Sequence, residues 1–288
     1  MIKSDASVDE YFNRVGILGA GRLGSALASR LESRGANVAL WSRRYESGDQ
    51  LIARGGEASG AVDFGIIAKS YVLLSAIPNQ ALLHLSSRPR LRNFDGVVCA
   101  MGIDTSVRCV RETLPQALVV RLSPGIPQEG GHITSVGLLD AHALRDSRTH
   151  VAKAVLELLG PVVWIHEEHL YDLTTLLAGP LLTLLKSAIS RTVEASLKAN
   201  GLPSQFKDEV ESIVFNELAR RSLGSSEGSQ QVESDRATPG GVTEVALRHK
   251  EQISGQLLGI VELMLKRMAR LRDDWKSENG PHTRCEPS

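Results

Sequence analysis

The stretch VGILGAGRLGSAL, from Val15 to Leu27, restricts the fold of this chain more than any other. Four strand-like residues run into Gly19, Gly21 and Gly24, and an amphipathic segment follows at once. Strand, turn and helix in that order give the glycines distinct tasks. The first allows a tight turn, the second lets backbone N–H groups approach a pyrophosphate, and the third lets helix and strand pack closely. The helix start at Arg22 and Leu23 adds unpaired N–H groups and the positive end of a dipole. The spacing predicts a dinucleotide site; the competing reading is a turn with a structural role alone.

Further apolar runs repeat the plan. VALW, YVLLSAI, GVVCAM and LVVRL are too apolar for exposed strands and suit a parallel sheet covered on both faces. Leu23–Arg34 and Gln80–Ser87 read as helices between them, and a last helix and strand run from about His150 through VVWIHE. After about Glu168 the apolar spacing becomes helical and stays so, broken by NGLP and by the low-complexity run from Gly224 to Asp235. The expected fold is α/β: an N-terminal Rossmann-type domain, doubly wound around a mostly parallel sheet, over residues 1–167. An all-α dimerisation and substrate domain follows over residues 168–288. The helix around Leu173 to Leu185 is apolar on much of its circumference, so a second copy of the chain is expected to cover it in an interleaved homodimer.

An NAD-selective site would carry Asp or Glu at the end of the second strand. Here Trp41 is followed by Ser42, Arg43 and Arg44, a hydroxyl and two guanidinium groups that suit a 2′-phosphate. NADPH is therefore the expected cofactor, with NADH as the alternative. AIPNQ, holding Ala76, Ile77, Pro78 and Asn79, falls at the carboxyl end of the sheet, where it can present backbone groups to the cofactor ribose. Asn79 could equally be a helix N-cap.

Near the end of the chain, RATPGGVTEVAL spends Thr238, Gly240, Gly241 and Thr243 on one helix entrance. Two glycines before a helix expose backbone donors that can bind a carboxylate as they bind phosphate, and Thr238 adds a hydroxyl. The alternative is a threonine that only caps its own helix.

These segments together resemble the pyrroline-5-carboxylate reductase family from about Val15 to Leu271. GILGAGRLGSAL is similar to its glycine opening, AIPNQ to its Val-Lys-Pro segment, and AMGI, with Met101 and Gly102, to its Ala-Ala-Gly-Ile. RLSPGIP resembles its Arg-x-Met-Pro-Asn-Thr-Pro, EHLYDLTT the entry to its helical domain, and ATPGGVTEV its Pro-Gly-Gly-x-Thr segment. The resemblance implies NAD(P)H-dependent hydride transfer to the C=N carbon of a cyclic imino acid. Gly240, Gly241 and Val242 would then hold the substrate carboxylate with Thr238, and Thr243 would meet the imine nitrogen.

The departures gather around the substrate. Where the family has Ser-Gly-Ser-Gly-Pro-Ala-Tyr, this chain runs from Ala178 to Leu184 without those serines or the tyrosine, which implies a more apolar pocket. Lys186 sits on the same apolar helix. It could polarise a carbonyl, as in a 3-hydroxy-acid type of dehydrogenase, or extend its head to water. A catalytically inactive NADP-binding dimer is the third reading.

Among 288 residues, 33 basic and 33 acidic side chains cancel, so no overall field recruits nucleic acid or an acidic membrane. HEEH at His166–His169 lacks metal-site spacing and reads as a solvated turn, and no metal is expected. Three cysteines without CxxC spacing, no signal-like start and no window of about 18 apolar residues point to a reduced, cytoplasmic protein.

Overall fold

The structure, a computed structural model, describes residues 14–42, 70–86, 89–125, 133–223 and 241–278. Seven strands, β1 (Val15–Leu18), β2 (Val38–Trp41), β3 (Val72–Ser75), β4 (Val97–Ala100), β5 (Leu118–Pro124), β6 (Ser135–Leu138) and β7 (Val162–Ile165), form one sheet in the order β2-β1-β3-β4-β5-β6-β7. The first five are parallel, β6 runs antiparallel to β5, and β7 is parallel to β6. Around them lie α1 (Arg22–Glu32), α2 (Asn79–Ser86), α3 (Pro89–Arg92), α4 (Val107–Thr113) and α5 (Thr149–Glu157).

Side-chain alternation explains why the strands are apolar throughout. Val15, Ile17, Val72, Leu74, Val97, Cys99, Leu118 and Val120 pack on one face with Leu27 and Leu31 of α1 and Val155 of α5. Leu18, Leu73, Val98 and Val119 pack on the other with Leu82 of α2 and Val110 of α4. Both faces are buried, as a doubly wound sheet requires. Cys99 and Cys109 are both buried, and burial pushes the Cys99 thiol up to about 12, so Cys99 fills core rather than reacting.

β6 was not expected. SVGL is short and contains Gly137, yet the glycine is what lets the strand form: a Cβ there would lie 2.4 Å from the ring of Trp164 on β7.

The helical part begins with α6 (Glu168–Leu176), a π-helical turn at Leu177–Leu181, and α7 (Leu182–Ala199). It continues with α8 (Lys207–Leu223), α9 (Val242–Leu247) and α10 (Lys250–Glu278). The expected single middle helix is thus interrupted, at the turn that holds Pro180, a residue with no N–H for the helical ladder. The NGLP break falls as expected, with Gly201 at φ +67° and Leu202 N–H donating to Leu197 O at 2.9 Å.

The chain forms two compact units. One runs to Thr175 and resumes at Lys266; the other is Leu176–Leu265. The division therefore falls eight residues beyond the expected 167/168 boundary, because Glu168 and Asp172 of α6 are bonded to Arg121 of β5. Within the second unit α7 and α8 pack as neighbours, tied by Ser190 Oγ to Glu211 at 2.6 Å and Lys207 Nζ to Glu194 at 3.0 Å.

The second unit leaves large apolar side chains in the open: Leu182 is 56% exposed, Ile213 64% and Leu263 65%. The expectation that no stretch is apolar enough to cross a membrane does not hold. Glu168–Ala199 does have the length and composition of a membrane-crossing helix, with only 6% of its most apolar window buried.

Candidate dinucleotide site and its surroundings

Gly19 follows β1 at φ +104°, in the left-handed region that a side chain opposes, and a Cβ there would lie 2.8 Å from Ala76 O and from Ile77 Cγ2. A Cβ on Gly24 would lie 1.7 Å from Gly19 O, so the first turn of α1 rests directly on the turn before it. Gly21 differs. Nothing lies within 4 Å of where its Cβ would be, which leaves the backbone open to a ligand. Gly21 is also the N-cap of α1; no side chain caps the helix, and its first turn, with Arg22 and Leu23, holds no acid. Bare donors and an uncovered glycine fit a pyrophosphate.

In this strand order the chain reverses its direction of travel across the sheet between β1 and β3, the switch point where open α/β sheets bind ligands. A cavity of about 660 Å³ opens there. Gly19, Gly21, Ser42, Ala76, Ile77 and Pro78 line it, all expected from sequence. Trp41, which stands beside Ser42 in the sequence, lines it too, as does one face of α2: Gln80, the last residue of AIPNQ, and Ala81, His84 and Leu85, which sequence reasoning missed. Their i, i+1, i+4, i+5 spacing after a strand-end turn was the available signal. Arg43 and Arg44 lie outside the described residues. A second cavity, about 330 Å³ beside Arg34 and Glu157, contains none of the expected site residues.

Asn79 is buried at the start of α2, and neither its Nδ2 nor its Oδ1 has a hydrogen-bond partner, so its side chain does not cap the helix. Met101 and Gly102, just past β4, do not line the cavity; they begin the turn into α4, and Met101 N–H donates to Ser75 O at 3.3 Å.

That turn is held by a cluster that sequence reasoning missed. Arg121, fully buried on β5, donates through Nη1 to Glu168 at 2.9 Å and Asp172 at 2.8 Å, and through Nη2 to Gly102 O at 3.4 Å. Its guanidinium lies 4.5 Å from the centre of the Tyr171 ring. Arg272 of α10 grips both oxygens of Asp172, at 2.7 and 2.8 Å, and reaches Ile103 O at 3.5 Å. Glu168 also accepts from Val107 N–H at 2.9 Å, which fixes the start of α4. Burial pulls the Arg121 pKa down, but Tyr171, Asp172 and Glu168 more than offset it and hold the group above its ordinary value. HEEH is thus not wholly a solvated turn, since Glu168 bonds inward. An arginine inside the apolar run LVVRL was the visible clue.

Thr243 and Lys186 both belong to the second unit. Thr243 is exposed on α9, whose N-cap is Gly241 with no side-chain cap, and Val242 is 89% exposed. Thr243 therefore does not cap its own helix. Thr238 and Gly240 lie outside the described residues. Lys186 is exposed on α7.

Residues 14–84 match the model of the NAD binding domain of 6-phosphogluconate dehydrogenase. Over 115 residues, 40% of this chain, the sequence is 22% identical to an NADPH-dependent reductive aminase of Aspergillus oryzae (strain ATCC 42149 / RIB 40), and the match spans only 32% of that relative. The pyrroline carboxylate reductase of Plasmodium falciparum with NADP bound is similar in structure, with a TM-score of 0.72 at 17% identity over 90% of this chain and 98% of that one. The reductive aminase of Aspergillus terreus in complex with NADPH and ethyl levulinate gives 0.56 at 16% identity over 92% and 99%. At such identities the likeness is one of fold. The chain is of the class that joins an N-terminal nicotinamide-dinucleotide-binding domain to a helical C-terminal region. Across nine-tenths of its length, that fold is the one adopted by the pyrroline-5-carboxylate reductases.

Proposed function

We propose that the protein is an NADPH-dependent reductase of C=N bonds in small cyclic imino acids, with pyrroline-5-carboxylate as the first candidate. The observation that carries this reading is an open glycine turn at the switch point of a fold that matches 98% of a pyrroline carboxylate reductase chain. Bound NADPH supplies a hydride to the imine carbon. The turn from Gly19 to Gly24 holds its pyrophosphate, Ser42, Arg43 and Arg44 receive the 2′-phosphate, and Ala76–Asn79 with Met101 and Gly102 flank the nicotinamide half. Thr238, Gly240, Gly241 and Val242 bind the substrate carboxylate. Thr243 donates a hydrogen bond to the nitrogen, and an imine that enters protonated needs no stronger acid.

Loss of NADPH absorbance tests this with five- and six-membered cyclic imino acids, with ketone and amine pairs, and with matched keto acids. Oxidation by cyclic imines is expected. Thr243→Ala should lower turnover about tenfold while NADPH affinity holds. Turnover of keto acids alone, abolished by Lys186→Ala, would replace this reading with the hydroxy-acid one; no turnover with any substrate would favour an inactive dinucleotide-binding dimer.

We further propose that a second copy of the chain covers the apolar faces of the helical unit. A bilayer explains them less well, because α8 exposes Ile213 and Leu218 while its sequence, KDEVESIVFNELARRSL, is far too charged to cross. Self-complementary faces on α7, α8 and α10 bury one another in a two-fold pair. Sedimentation equilibrium should give twice the 31.1 kDa chain mass. A monomer at micromolar concentration would refute the pairing.

A further inference from the structure

We infer that Arg272 and Asp172 are positioning residues for the nicotinamide half of the cofactor, acting through the turn from Met101 to Ser106. The inference rests on the dinucleotide reading above and adds to it a device outside the cavity itself.

Three backbone groups of this turn and of the helix after it end on the buried cluster. Gly102 O accepts from Arg121, Ile103 O accepts from Arg272, and Val107 N–H donates to Glu168. The turn continues β4, two strands beyond β1 in the sheet, so it stands on the far side of the glycine turn from Ser42 and the end of β2. A dinucleotide whose pyrophosphate sits at the glycines and whose adenosine lies toward β2 extends its nicotinamide toward β4. The backbone of Met101–Ile103 is then the support that this half meets.

Asp172 is the hub. It accepts from Arg121 Nη1 and from both terminal nitrogens of Arg272, so the two guanidinium groups are set relative to each other through one carboxylate. Two cations and two acids, Glu168 and Asp172, leave the cluster neutral in sum. Packing alone would be served as well by apolar side chains of similar volume. A fork of fixed geometry differs from apolar packing in one respect: it sets where two carbonyl oxygens lie. Arg272 is also the member best suited to a test, because its side chain is 22% exposed whereas that of Arg121 is 1% exposed.

The test compares ligands that contain the nicotinamide half with one that lacks it. For Arg272→Met in the full chain, NADPH affinity, read by fluorescence titration, should fall about tenfold. Affinity for 2′,5′-ADP, read by competition, should stay within twofold of the original. Arg272→Lys keeps the charge but loses the fork and should recover only part of the loss; Asp172→Asn should behave as Arg272→Met does. A general loosening of the fold would weaken both ligands together with a fall in Tm, and that result would overturn the inference. So would equal NADPH affinity in Arg272→Met and the original protein. Failure of both NADPH and NADH to bind the unaltered protein would refute the dinucleotide reading instead, and failure of 2′,5′-ADP alone would refute the 2′-phosphate site.

Discussion

Gly24→Ala is expected to remove NADPH binding, at least a hundredfold in affinity, and to destabilise the protein by about 3 kcal/mol, at the upper end for a methyl group forced into packed structure. The added methyl would stand 1.7 Å from Gly19 O, far inside contact distance. Gly19 has little room to retreat. Its N–H donates to Trp41 O at 2.8 Å, and its own Cα faces the Ala76 carbonyl. The helix must therefore lift off the turn, and the donors at Arg22 and Leu23 move with it. Gly21→Ala is the informative partner. The space over Gly21 is open, so the fold should keep its stability while the new methyl obstructs the pyrophosphate. Urea unfolding and fluorescence titration separate the two effects. A Gly24→Ala protein that binds NADPH normally would mean that the turn does not hold the cofactor.

Much of this was legible because it is local. Period-two burial, continuous apolar runs and glycine spacing act within about ten residues, and β1 to β5, α1 and α2 fall where those signals place them. β6 was hidden because the residue that enables it, Gly137, weakens a strand by itself and is needed only once Trp164 is seated against it. The cluster at Asp172 joins residues 51 and 100 positions apart, and no periodicity links them. The shift of the unit boundary has the same origin. α6 is helical in sequence terms, but its acids answer an arginine on β5, so it belongs to the sheet's unit.

Lys186 shows a different limit. Its apolar neighbours made it look like a buried cation that needed a partner, yet in the single chain it is exposed, as are Leu182 and Leu184 beside it. Apolar composition shows that a surface wants cover without showing what covers it. The oligomer measurement therefore bears on Lys186 as well: burial of α7 by a second copy would change the surroundings of its ammonium group, and a monomer would leave it in water.

Arg121→Met should cost about 4 kcal/mol of stability, in the range for breaking a buried ion pair. Methionine approximates the aliphatic stem but leaves Asp172, 5% exposed, with one cation instead of two, and Glu168 with only Val107 N–H. It also removes the planar group stacked on Tyr171. The loss should be smaller when Asp172→Leu is made in the same chain, because the double variant no longer buries that carboxylate; Arg272 and Glu168, at 22% and 26% side-chain exposure, can turn to water. Urea unfolding of the two single variants and the double therefore yields a positive coupling, with the double more stable than the sum of the single losses predicts. Additive losses would mean that Arg121 acts by filling space. Coupling would show that an arginine is held in an apolar strand by the carboxylates of α6, and that this attraction, more than the helical pattern of residues 168–175, attaches α6 to the sheet.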